Sequence, residues 1–184
     1  MSDNLIGVLS LREEAIPARC VDGSREPKLF PKSGGMVPQM KLRPTKPIAA
    51  HKIGAYRATH YRVGTGPEAF TLRIDIPSSP LRRLYENTGH TCGVFITAFN
   101  PIGEQQSAHA NETAHAGLRE CLCALTPHVI EGVGADPAGA WPKEKSYLAL
   151  GIDNTTARYL GARFCQDAVV WAGPDAIPQL LLLR

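Results

Sequence analysis

Cys92-Gly93-Val94-Phe95-Ile96-Thr97-Ala98-Phe99, followed at once by Asn100-Pro101, is the stretch that decides how this chain folds. Its apolar residues fall on both alternating faces. A strand built from it is covered on both sides and belongs in the middle of a sheet. Pro101 has no N–H for a ladder, so the strand ends at the Asn100-Pro101 step.

Outward from that strand the pattern alternates between the two periods. Upstream, Phe70-Thr71-Leu72-Arg73-Ile74-Asp75-Ile76 alternates apolar and polar strictly and reads as a half-solvated strand. Tyr61–Val63 is its hairpin partner through Gly64 to Gly66. Ser79-Pro80 supplies an N-cap and an N1 proline for a short helix carried by Leu81, Leu84 and Tyr85 and stopped near Gly89. Downstream, Ser107 opens a longer helix to about Leu125, with Ala114, Leu118, Cys121, Leu122 and Leu125 as its buried stripe. His128–Val133 and Ser146–Ile152 read as strands around a Gly- and Pro-rich loop, Gly134–Pro142. Asp153 caps a third helix to about Phe164, Ala168–Ala172 is a core strand, and Gln179–Leu183 is an edge strand. The order is neither a βαβ repeat nor all-β. It implies an α+β domain: a mixed, mostly antiparallel sheet with about three packed helices.

The 184-residue chain divides into a leader, 1–49, and one domain, 50–184. The leader holds six of the fifteen prolines and no sustained period, which fits a flexible segment with at most a short helix near Leu5–Ala15. It carries eight Lys/Arg against five Asp/Glu, whereas the domain carries twelve of each, so the net charge of +3 belongs to the leader. A neutral domain lacks the electrostatic footprint of phosphate-backbone binding, which argues against nucleic-acid recognition by the fold. The five cysteines (20, 92, 121, 123, 165) form no even framework and suit reduced thiols. With no signal peptide pattern and no apolar run of about 20 residues, a cytoplasmic location without membrane association is expected.

Four stretches carry a resemblance to a known family: Phe95–Pro101; Ser107 with Asn111; Asp136–Ser146, which includes Gly139, Trp141, Pro142 and Glu144; and Phe164–Trp171. Together they resemble a bacterial family known as domain-of-unknown-function family 3293. Phe99 stands where that resemblance implies Trp, and Asp167 where it implies Asn. The resemblance implies no activity, so function rests on residue chemistry.

Three constellations bear on it. Asn100 lies past the carboxyl end of a central strand, a common place for sites in open sheets. Ser107 and Asn111 open the following helix, and Asn111 precedes Ala114, Leu118 and Leu122 on the stripe facing the sheet. A buried amide needs a partner: the Asn100 turn or a polar ligand. In the loop, Trp141 offers a stacking surface and Glu144 is the one acid–base candidate, unless Trp141 plugs the core edge and Glu144 pairs with Lys143 or Lys145. Gln166 either faces the same sheet edge or satisfies helix carbonyls. His109 and His115 fall on different helix faces, and Cys121 and Cys123 splay by about 200°, so no metal site is expected. With no P-loop or dinucleotide motif, no cofactor is expected either.

These residues fit a domain that binds a polar metabolite or nucleotide-like ligand, with or without catalysis, at Asn100, Ser107, Asn111 and Glu144, rimmed by Trp141 and Gln166. The rival is a protein-interaction module that uses the basic leader. A third possibility gives the leader's Arg12, Arg19, Arg25, Lys28, Lys32, Lys41, Arg43 and Lys46 a nucleic-acid tethering role.

Overall fold

The structure, a computed structural model, describes residues 47–139 and 141–184. The expected leader, with its short helix, lies outside the described residues but for its last three positions. In chain order the elements are α1 (Ala50–Ala58), β1 (His60–Val63), β2 (Phe70–Leu72), α2 (Ser79–Thr88), β3 (Gly93–Ile96), α3 (Ala108–Cys123), β4 (Val129–Ala135), β5 (Glu144–Leu150), α4 (Asn154–Arg163), β6 (Ala168–Ala172) and β7 (Pro178–Leu182). The seven strands make one sheet in the order β2-β1-β4-β5-β3-β6-β7. Each of its pairings is antiparallel.

The expected α+β class is what the chain adopts. The strand of the opening stretch, β3, lies between β5 and β6, and all four of its residues are buried. Alternation then splits its side chains between two cores. Phe95 joins Tyr61, Leu72, Leu81, Tyr85, Leu148, Leu150 and Val170 on the α2 face. Val94 and Ile96 join Leu118, Leu122, Tyr147, Ala157, Leu160 and Val169 on the α3 and α4 face. Gly132 on β4 makes room for this arrangement, since a Cβ there would lie 2.6 Å from the Phe95 ring and 2.7 Å from the Arg62 carbonyl.

Ser78, Ser107 and Asp153 cap α2, α3 and α4, each side chain accepting a backbone N–H of the first turn. Several boundaries differ from the sequence pattern. β2 stops at Leu72, because Asp75 turns into a left-handed conformation (φ 62°) and its N–H bonds to the Pro178 carbonyl at 2.8 Å. Ile76, which extends the alternation, is 53 % exposed. β4 is one residue longer than its pattern, and β5 keeps the expected length but is shifted two residues upstream, beginning at Glu144, which pairs with Gly134. Glu144 therefore stands on a strand and not in a loop. A fourth helix, α1, precedes the first strand. Cys92, Cys121 and Cys165 are free thiols, but the expectation of reduced cysteines fails at Cys123, which is disulfide-bonded. Among the described residues no helix is long and apolar enough to cross a membrane.

Candidate functional site

Past β3 the chain turns sharply. Thr97 Oγ1 accepts the Phe99 N–H at 3.0 Å, and Asn100, Ile102 and Gly103 then follow with φ of 48°, 52° and 70°. Asn tolerates the left-handed region better than most side-chain-bearing residues, whereas a β-branched Ile is strained there. What holds the turn is Asn111, in the first turn of α3. Its Oδ1 accepts the Asn100 backbone N–H at 2.9 Å, and its Nδ2 donates to Asn100 Oδ1 at 3.0 Å. Asn100 Oδ1 also accepts the Gln106 N–H at 3.1 Å. With its acceptor doubly engaged, the Asn100 amide can present only Nδ2 outward. That group donates to Glu144 Oε1 at 2.7 Å.

Glu144 is half-buried, and burial raises its pKa above the usual carboxylate value, with the Asn100 hydrogen bond opposing the shift. It makes no salt bridge among the described residues. Lys145, one partner considered for it, pairs instead with Glu112 at 2.6 Å. A second carboxylate near it is treated differently. Asp167, at the start of β6, is 2 % exposed and receives the Arg184 guanidinium at 2.5 Å, the Lys52 ammonium at 3.5 Å and the Tyr56 hydroxyl at 3.2 Å. Lys52 and Tyr56 are four residues apart on α1 and so share a face. Lys52 also donates to the Ile102 carbonyl at 3.2 Å, which ties α1 to the turn after β3. Burial, then Asp167, pushes the Tyr56 hydroxyl well above the ordinary phenol range.

These groups surround a cavity of about 420 Å³, a size typical of small-molecule sites. Its floor is the far end of β3 with the facing parts of β5 and β6. One wall is α1 with its C-cap residue, through Lys52, Ala55, Tyr56 and Thr59, and Trp141, 46 % exposed, stands at the mouth. Five aromatic side chains line it: Tyr56, Tyr61, Phe95, Phe99 and Trp141. Phe99 is backed by the His115 imidazole, edge-on at 5.6 Å, and that imidazole stacks on Tyr147 at 4.3 Å.

Of the residues singled out in the sequence, Asn100, Trp141, Glu144 and Gln166 line the cavity. Asn111 stands behind Asn100 as its support. Ser107 is exposed, caps α3 through the Ala110 N–H at 3.2 Å, and is not among the lining residues. Gln166 donates through Nε2 to the Phe99 and Phe164 carbonyls, each at 3.2 Å, so its amide closes a helix end while its side chain forms part of the wall. Sequence reasoning missed Lys52, Tyr56 and Asp167. The spacing of Lys52 and Tyr56 was there to be seen, but their partner lies 111 positions beyond Tyr56. Among the described residues no group of three His, Cys, Asp or Glu could hold a metal ion.

Over residues 96–169 the chain matches the model of the family described as "Protein of unknown function (DUF3293)", which bears out the resemblance seen in its sequence. The match contains Asn100, Asn111, Glu144, Gln166 and Asp167, and leaves α1 outside it. No curated protein and no solved structure matches the chain.

Proposed function

We propose, for a chain whose family has no assigned activity, that it binds a small polar ligand in the cavity at the carboxyl end of β3. The observation that carries this is the Asn111–Asn100–Glu144 relay. Two amides fix a left-handed turn so that one hydrogen-bond donor aims at one carboxylate facing a cavity. Stability alone does not require that device. A half-buried carboxylate held by a single neutral donor disfavours the folded state, and an apolar side chain in its place would not. Strain and unfavourable burial kept together at a concave surface are characteristic of binding sites. Aromatic walls supply contact area, and Glu144 supplies direction. Glu144 is also the cavity group placed to take a proton from a bound molecule, so the same geometry suits a reaction as well as binding.

The test is a thermal-shift screen of a metabolite library against the wild type and Asn111→Ala. Ligands of this site raise the wild-type midpoint with increasing concentration and lose that effect in Asn111→Ala and Glu144→Ala. A library in which every hit shifts all three proteins equally would refute the assignment.

A further inference from the structure

Three carboxylates line this cavity, Asp136, Glu144 and Asp167, and the last two are unequally provided for. Asp167 has two cations, Arg184 and Lys52, and a phenol hydroxyl. Glu144 has one neutral amide, on Oε1 alone, and no cation within salt-bridge distance among the described residues. Lys52 lines the same cavity but cannot serve Glu144 without leaving Asp167 and the Ile102 carbonyl. Five of the side chains that share the cavity with Glu144 are aromatic, and aromatic ring faces attract positive charge. A partly desolvated carboxylate with one uncommitted oxygen, in a cavity that five aromatic side chains also line, has the chemistry that selects a cation bearing N–H donors.

We infer that the ligand of this cavity is an organic cation, an amine, amidine or guanidine on a flat unsaturated body, whose N–H groups bind Glu144 while its body lies against the aromatic walls. This rests on the small-ligand role proposed above and makes it specific. The ligand supplies to Glu144 the charge that Lys52 and Arg184 supply to Asp167. An anionic ligand is disfavoured by repulsion from Glu144, and a neutral amide of the same shape lacks the charge-assisted bond.

Three probes of one shape and different charge decide it: benzamidine as its cation, benzamide as the neutral isostere, and benzoate as the anion. Each is titrated into the full-length chain by calorimetry at neutral pH. The expected order is benzamidinium tightest, benzamide at least about tenfold weaker, and benzoate without measurable binding. Glu144→Gln keeps the Asn100 hydrogen bond and the side-chain volume but removes the charge. It should bring benzamidinium and benzamide within about twofold of each other. Trp141→Ala, at the cavity mouth, should weaken both probes by a similar factor and preserve their order. A preference for benzamide or benzoate, a benzamidinium preference that survives Glu144→Gln, or no binding of any probe up to about 10 mM overturns the inference. The metabolite screen answers separately. Hits that depend on Asn111 and Glu144 but are neutral or anionic keep the binding site and refute its cation selectivity.

Discussion

Asn111 engages both the backbone N–H and the side-chain carbonyl of Asn100, so truncating it leaves the Asn100 N–H without a partner and Asn100 Oδ1 with the Gln106 N–H alone. Asn111→Ala should lower stability by about 1–3 kcal/mol, read by urea denaturation, because a desolvated donor goes unsatisfied. Asn111→Asp keeps the acceptor for the Asn100 N–H but not the donor, and should fall between wild type and Ala. Equal stability of all three proteins would show that the turn after β3 holds without the amide. Glu144 makes a second prediction at this scale, one that depends on pH. Its pKa is raised on folding by burial, so the folded state binds its proton more tightly than the unfolded state does. The resulting penalty is absent below the unfolded carboxyl pKa, develops as pH rises towards the folded value, and is fully present above it. Glu144→Gln should therefore be more stable than wild type at neutral pH, with the gain disappearing near pH 4 or below. Paired denaturation curves at the two pH values measure this, and a gain unchanged by pH would contradict it. At this scale the sequence was informative where chemistry is local. The run from Asn100 to Asn111 shows an amide beside a strand end and another on a buried helix stripe. Asp167 gave no such signal, because its cations come from α1 and from the chain terminus.

At the scale of elements, α1 shows what hydrophobic periodicity cannot detect. The helix Ala50–Ala58 contains Gly54 and has no buried residue. Its attachments are polar: Lys52 and Tyr56 to Asp167, Arg57 to Asp75, and the Tyr61 hydroxyl to the Tyr56 carbonyl at 2.6 Å. A search for apolar stripes passes over such an element, although it forms one wall of the cavity. The opposite error occurs at β2, whose alternation continues to Ile76 beyond the point where the backbone leaves the sheet at Asp75. Alternation reports which side chains could share a face and not whether the backbone stays extended. Because α1 is tied down chiefly through Asp167, Asp167→Ala should release it before the sheet is affected. Hydrogen exchange of amides 52–58 should accelerate by about tenfold or more while those of β3 and β5 stay protected. Uniform acceleration across the sheet would mean that α1 is not a separable unit. Within the sheet, Gly132→Ala should lower stability by about 1–3 kcal/mol, because the new methyl meets the Phe95 ring and the Arg62 carbonyl, and the carbonyl cannot move without disturbing the ladder.

For the molecule as a whole, the seven-stranded sheet decides how it can come apart. The same three strands feed both cores: Phe95 against Val94 and Ile96, Leu148 and Leu150 against Tyr147 and Ala149, Val170 and Ala172 against Val169. Neither core can be lost while β3, β5 and β6 keep their alternation, so each face stabilises the strands that the other face needs. The described residues should thus unfold in one cooperative transition, although two helical layers lie on opposite sides of the sheet. Trp171 is suited to report it. It packs on the α3 and α4 core, and its indole N–H donates to the Ile152 carbonyl at 2.9 Å. The sequence contains two tryptophans, and Trp141, at the cavity mouth, can be replaced by Phe without touching either core. In Trp141→Phe the fluorescence of Trp171, which follows the α3 and α4 face, and the far-UV circular dichroism, which follows the whole sheet, should share one urea midpoint. A fluorescence transition that precedes the loss of secondary structure would show that the helices leave one face while the sheet persists. In that case the cavity at the end of β3 would rest on the α2 face alone.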